Sequence, residues 1–226
     1  MKIGIIAAMP EEIALLVDNL ENAGKQIRHN FIFHTGSIGR HEVVLVQSGI
    51  GKVMSALAVT LLVQLFEVDA LINTGSAGAI DSSLKVGDLV IADKLAYHDV
   101  DVTAFGYDYG QMAQQPLYYE SSKYFISELK KVLPNPKIGL ITSSDSFIAD
   151  PAKIAEIKTH FPADLAVEME GASIAQAATA LGRPFLVIRA ISDTADHQAS
   201  VSFDDFIIEA GRRSAELLIK WLRNMR

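Results

Sequence analysis

Residues 2–20, KIGIIAAMPEEIALLVDNL, decide the fold class. Ile3 to Ala8 form an unbroken apolar run, as expected of a strand covered on both faces in a parallel-type sheet. Pro10 then suits the first turn of a helix, and Ile13, Leu16, Val17 and Leu20 recur on one of its faces. A buried strand running straight into an amphipathic helix is the repeating unit of α/β folds. The alternation continues: 41–47, 70–73, 89–92, 138–142 and 185–191 read as strands. Helices are expected at 52–66, 120–133, 151–160, 171–181 and 204–223. Asp150 and Pro151 supply an N-cap and a proline at the first helical position, and Ser202 with Asp205 resembles a capping box. The expectation is one α/β domain over residues 1–226, with helices packed on a largely parallel or mixed sheet.

Composition narrows the function classes. The chain has 226 residues, 50% of them hydrophobic, which is enough for one large domain with a substantial core. Its formal charge is -7 and no stretch is strongly basic, so binding to a nucleic-acid backbone is not expected. The absence of cysteine rules out disulfides, thiolate metal sites and cysteine nucleophiles. The apolar start stops at Pro10-Glu11-Glu12, too early for a signal-peptide core, and no segment approaches a membrane span. A cytoplasmic location is the default expectation. The six histidines (29, 34, 41, 98, 160 and 197) lack any metal-ligand spacing, so no metal is expected.

Two glycine motifs fail on inspection. SGIGKV (48–53) has Val46 where a phosphate loop needs its first glycine, and Val53 where it needs Ser or Thr. It reads as a glycine turn before a helix. NTGSAGAI (73–80) has only Gly75 and Gly78, and the next segment reads as turn and strand rather than helix, so a dinucleotide fingerprint is not supported. A glycine turn there still lets backbone amides approach a ligand. The irregular stretch at about 97–119 is long for a loop in a compact domain, and its aromatics Phe105, Tyr107, Tyr109, Tyr118 and Tyr119 favour an interface.

The informative signals are charges in apolar surroundings. VEMEGA (167–172) puts Glu168 and Glu170 into an otherwise apolar run, where an unpartnered carboxylate costs several kcal/mol. Arg189 stands inside the apolar strand FLVIRAIS and needs an anionic partner. On a helical wheel Glu12 lies at the edge of the apolar face while Glu11 points away. Asp193 comes just after the 185–191 strand; alone it reads as a turn cap. Glu12, Ser76, Glu170 and Asp193 all fall at strand exits, the position where ligands bind in open α/β sheets. Phe147, at another exit, is either core or a stacking surface for a flat ligand.

Together MPEE (9–12), INTGSAG (72–78), YHDVDVTAFGYDYGQ (97–111), VEMEGA (167–172) and RAISDTAD (189–196) resemble the 5'-methylthioadenosine/S-adenosylhomocysteine nucleosidases. These have a nucleoside phosphorylase-like fold, a three-layer α/β/α arrangement around a mixed sheet. The resemblance runs from residue 1 to the C-terminal helix. It implies hydrolysis of the bond between adenine N9 and ribose C1' through an oxocarbenium-like transition state. It implies that Asp193, oriented by Ser192, protonates adenine N7, and that Glu12 deprotonates a water held with help from Ser76 and Arg189. Glu170 would accept the ribose 2'- and 3'-hydroxyls, kept ionised by the helix start; Met169 would pack on the ribose. Phe147 would stack on adenine while the Ile148 backbone reads its edge. Met9, Ile50 and Phe203 would form a 5'-alkylthio pocket, closed by Val102, Phe105 and Tyr107 of a partner subunit in a homodimer. No cofactor is implied. Glu168 is left a secondary role, as partner of Arg189 or pocket wall. The alternatives are a nucleosidase for 5'-deoxyadenosine or aminodeoxyfutalosine, a phosphate-dependent phosphorylase and a non-catalytic nucleoside binder.

Overall fold

A computed structural model describes residues 1–133, 135–194 and 199–225, and for 199–205 the backbone only. Among these residues the chain order is β1 (Lys2–Ala7), α1 (Pro10–Asp18), β2 (Glu21–Arg28), β3 (Phe31–Ile38), β4 (His41–Gln47), α2 (Lys52–Phe66), β5 (Ala70–Ala79) and β6 (Leu89–Tyr97). Next come β7 (Tyr119–Glu120), α3 (Lys123–Lys130), β8 (Lys137–Ser143), α4 (Pro151–His160), β9 (Asp164–Glu168), α5 (Gly171–Ala180), β10 (Phe185–Asp193) and α6 (Ala199–Asn224). The strands form one mixed sheet in the order β10-β6-β8-β9-β5-β1-β4-β3-β2. β10 also pairs with β5, so five strands close into a ring at one end, while β1, β4, β3 and β2 extend as an open wing.

The central strands of the sheet are buried on both faces, as their continuous apolar runs require. On one side α2 and α5 pack Val59, Leu62, Ile174 and Ala175 against Phe33, Val46, Val187 and Ile191. On the other, Ile13 and Leu16 of α1, Phe125 of α3 and Leu218 and Trp221 of α6 pack against Ile3, Leu45, Ile72 and Leu186. Trp221 is fully buried and meets the edge of Phe125, with ring centroids 5.6 Å apart; truncating it to Ala would cost about 3–5 kcal/mol. The expected mixed sheet between helices is therefore present.

Several boundaries differ from the sequence expectation. The strand expected at 70–73 runs to Ala79, so NTGSAGA is strand and not a turn. It holds because β1, β10 and β9 all pair along it. The 89–92 strand continues to Tyr97 through a register shift at Asp93. Helix α3 starts at Lys123, capped by the Ser122 side chain on Phe125 N, because Tyr119 and Glu120 pair with Leu95 and Lys94 as β7. Ser202 and Asp205 lie inside α6, which begins at Ala199; nothing in Ala199-Ser200-Val201 breaks a helix, so the capping box is not the start. The β2–β3 hairpin and β9 have no counterpart in the sequence expectation.

Candidate active site

A cavity of about 430 Å³ opens where β1, β5, β9 and β10 end. Its described lining includes Ala8, Met9, Glu12, Ile50, Ser76, Gly78, Phe147, Glu168, Met169, Glu170, Ser192 and Asp193. The described lining carries four carboxyl groups and no Lys, Arg or His. Four elements far apart in sequence thus deliver the polar residues singled out above to one place.

Glu12 is delivered by the β1–α1 junction, and it is buried where Glu11 is exposed. Its Oε2 accepts hydrogen bonds from Ala8 N (3.0 Å) and Met9 N (3.1 Å). Its Oε1 accepts from Ser76 N (2.9 Å) and the Ser76 hydroxyl (3.0 Å). One of these donors is the N-cap amide of α1, so the dipole complement and the placement in the cavity coincide. Gly75 allows the approach: a Cβ there would lie 2.6 Å from Glu12 Oε1 and 2.5 Å from Arg189 Nη1.

Behind the cavity lies a buried charge cluster. Arg189 on β10 is fully buried and does not line the cavity. Its Nη2 donates to Asn73 Oδ1 at 2.6 Å and to Glu168, and lies 3.5 Å from Glu170 Oε2. Glu168 is therefore the anionic partner that a buried arginine demands. Glu168 also accepts from Ser143 Oγ, Glu170 N (3.0 Å) and Gly171 N (2.8 Å), which puts its charge on the first amides of α5. A Cβ on Gly171 would sit 2.9 Å from Glu168 Oε1, and glycine lets this amide come close. Among the described residues Arg189 Nε and Nη1 have no hydrogen-bond partner.

Glu170 corrects one expectation. It occupies the N-cap position of α5 but makes no side-chain cap bond. Its Oε1 instead accepts from Gly51 N at 2.9 Å, across the cavity mouth. Burial first, and then the Glu168 charge, push its pKa up to about 8, against the pull of Arg189 and the Gly51 amide. The helix start serves Glu168, and it does not hold Glu170 ionised.

Asp193 is buried at the end of β10 and accepts from the Ser192 hydroxyl at 2.8 Å. The β10–β5 register shifts between Ile191 and Asp193, an irregularity of the kind that re-aims side chains at sheet edges. Phe147 is 47% exposed at the lip, and Ile148 lines a small adjoining recess with Phe147 and Asp193. Met9, Ile50 and Met169 line the main cavity as expected. Phe203 lies among the residues whose side chains are not described. Val102, Phe105 and Tyr107 are outside the described lining; Phe105 is 81% exposed in a short 3-10 turn, Thr103–Phe105. In the same loop Tyr109 is anchored, its ring stacked on His160 at 3.8 Å and its hydroxyl on His98 O at 3.0 Å.

Residues 2–223 match the model of the phosphorylase superfamily. A 5'-methylthioadenosine/S-adenosylhomocysteine nucleosidase of Shewanella sp. (strain MR-7) is 44% identical over 230 residues, covering 100% of this chain and 98% of that protein. The solved S. pneumoniae nucleosidase, bound to the transition-state inhibitor MT-ImmA, superposes with a TM-score of 0.98 at 62% identity, with 100% of both chains covered. The chain belongs to the 5'-methylthioadenosine/S-adenosylhomocysteine nucleosidase family. The Neisseria meningitidis nucleosidase in complex with methylthio-immucillin-A is similar over 99% of each chain, at 41% identity and a TM-score of 0.96.

For a nucleosidase-family chain, sequence reasoning left three parts of this site unassigned. Ala8, Ala77, Gly78 and Val167 are small or apolar wall residues that carry no chemical signal. Ser143 and Asn73, which hold Glu168 and Arg189, gave none either, though each is a polar residue in an apolar strand. Gly51, dismissed with the failed phosphate loop, supplies the amide that holds Glu170. Among the described residues no group of His, Asp and Glu is arranged to hold a metal ion, and no helix is long and apolar enough to cross a membrane.

Proposed function

We infer that this chain hydrolyses the N-glycosidic bond of 5'-methylthioadenosine and S-adenosylhomocysteine, releasing adenine and the thioribose product. Adenine leaves poorly as an anion, so the reaction needs a proton donor at the base and an activated water at the sugar. In this reading buried Asp193, held by Ser192, gives its proton to adenine N7 as the C1'–N9 bond breaks. Glu12 then takes a proton from the attacking water, which Ser76 helps to hold while Arg189 stands behind, close to Glu12 across Gly75. Glu170 accepts the ribose hydroxyls, and its ionised form stabilises the cationic sugar. Phe147 stacks on adenine beside Ile148, Met169 packs on the ribose, and Met9 and Ile50 accept the 5' substituent.

The observation that carries this reading is the charge of the cavity. Phosphorolysis requires a cationic pocket for phosphate beside C1', whereas the described lining has four carboxyl groups and no cation. Arg189, which stands close to Glu12 across Gly75, is already paired with Glu168 and Glu170. Purified protein is expected to release adenine from methylthioadenosine in phosphate-free buffer at the same rate as with phosphate. An absolute need for phosphate, with a sugar 1-phosphate as product, would overturn the reading.

The same reading includes a homodimer in which Val102, Phe105 and Tyr107 close the partner's 5' pocket. Phe105 at 81% exposed supports it, as do the exposed Ile50, Val53 and Leu57 at the mouth and along α2. Such an apolar surface is unusual on a chain that works alone.

A further inference from the structure

The α2 N-terminus is gripped by two carboxylates from elsewhere in the chain. Gly51 N donates to Glu170, and Lys52 N donates to Asp145 Oδ1 at 2.8 Å. Asp145 begins the segment that carries Phe147 and Ile148. It is held in turn by Asp99, whose Oδ2 accepts from Asp145 N at 3.2 Å and from Lys52 Nζ at 2.7 Å. Lys52 Nζ also lies 3.8 Å from Asp145 Oδ2 and 5.3 Å from the centre of the Tyr97 ring. Three loops therefore meet at one half-exposed ionic knot: the 48–52 turn, the chain leaving β6 and the chain leaving β8.

We propose that Lys52, Asp99 and Asp145 form a clasp that positions the base-stacking segment 145–148 and the Ile50 lip against Glu170. The proposal rests on the nucleosidase reading for what the cavity holds. None of the three residues lines the described cavity, so they are positioning residues. Phe147 and Ile50 are 47% and 54% exposed at the mouth. Charge balance favours the knot: two carboxylates face one ammonium and the positive end of α2. Exposed ion pairs contribute little to global stability, so its effect falls on loop placement.

The test compares Lys52→Met, Asp99→Asn and Lys52→Arg with the parent protein. Lys52→Met and Asp99→Asn are expected to raise KM for methylthioadenosine by about tenfold while kcat stays within about twofold, because the chemical groups are untouched. Lys52→Arg keeps the charge and should stay within about twofold in both. Raising ionic strength from about 0.05 M to about 1 M should raise KM of the parent and leave that of Lys52→Met unchanged. Backbone amides of residues 51, 52 and 145 should exchange with deuterium faster in Lys52→Met, at an unchanged melting temperature. Unchanged exchange at these amides, or kcat falling as much as kcat/KM, overturns the clasp. Failure of the parent to release adenine overturns the nucleosidase reading instead, and the exchange measurement still decides the clasp.

Discussion

The carboxylate wall and the mouth of the same cavity are built by opposite means. At the wall, Glu12, Glu168 and Glu170 are each less than 10% exposed, and each accepts at least one backbone amide. At the mouth, Ile50 and Phe147 are large apolar groups 54% and 47% exposed, carried on loops. The wall's side chains are held by backbone donors, the kind of fixed frame that electrostatic catalysis uses. The mouth is left adaptable, to be completed by substrate and, in our reading, by a second subunit.

The contrast can be broken at the wall first. Glu12→Gln and Asp193→Asn are expected to lower kcat by about 10²–10⁴-fold with a much smaller change in adenine affinity. Near-normal turnover in either variant removes that residue from catalysis. Next in size is Arg189→Met, which leaves Glu168 buried without its cation and should cost about 3–5 kcal/mol of stability by denaturant titration. Adding Glu168→Gln should restore part of that loss; a double variant less stable than Arg189→Met alone contradicts the pairing.

At the mouth, Phe105→Ala should raise KM several-fold, roughly the loss of one apolar contact of about 1–2 kcal/mol, with kcat retained. Sedimentation should show a dimer, and a monomer at every concentration contradicts the shared pocket. A further test is one of pH. Glu170 binds its proton more tightly folded, with a pKa near 8, than at its ordinary 4.5. Its contribution to stability is thus full below the lower value and lost as pH rises through the higher one. Glu170→Gln should flatten the fall in melting temperature of the free protein between about pH 5 and pH 8. An unaltered slope means that Glu170 is not the group that titrates.

The same contrast explains what the sequence made legible. Continuous apolar runs identified β1, β4, β8 and β10, because a strand covered on both faces has no other composition. The β2–β3 hairpin was invisible, since ENAGKQIR is polar along its length and lies exposed at the sheet edge. β9 was obscured by its own function, with Glu168 at its end interrupting the apolar pattern. Glu12 and Arg189 stood out as charges among apolar neighbours. Which carboxylate would pair with Arg189, and which would meet the helix start, depends on Ser143 and Gly171, and that is settled only in three dimensions. The Lys52–Asp99–Asp145 knot joins residues up to 93 positions apart, and its members look like ordinary surface charges in the sequence.

The central claim is that a cavity lined by carboxylates activates water. Turnover of methylthioadenosine in water labelled with heavy oxygen, with excess phosphate present, tests it most directly. The account predicts one labelled oxygen at C1' of the released sugar and no sugar phosphate. An unlabelled sugar 1-phosphate as the product would contradict it.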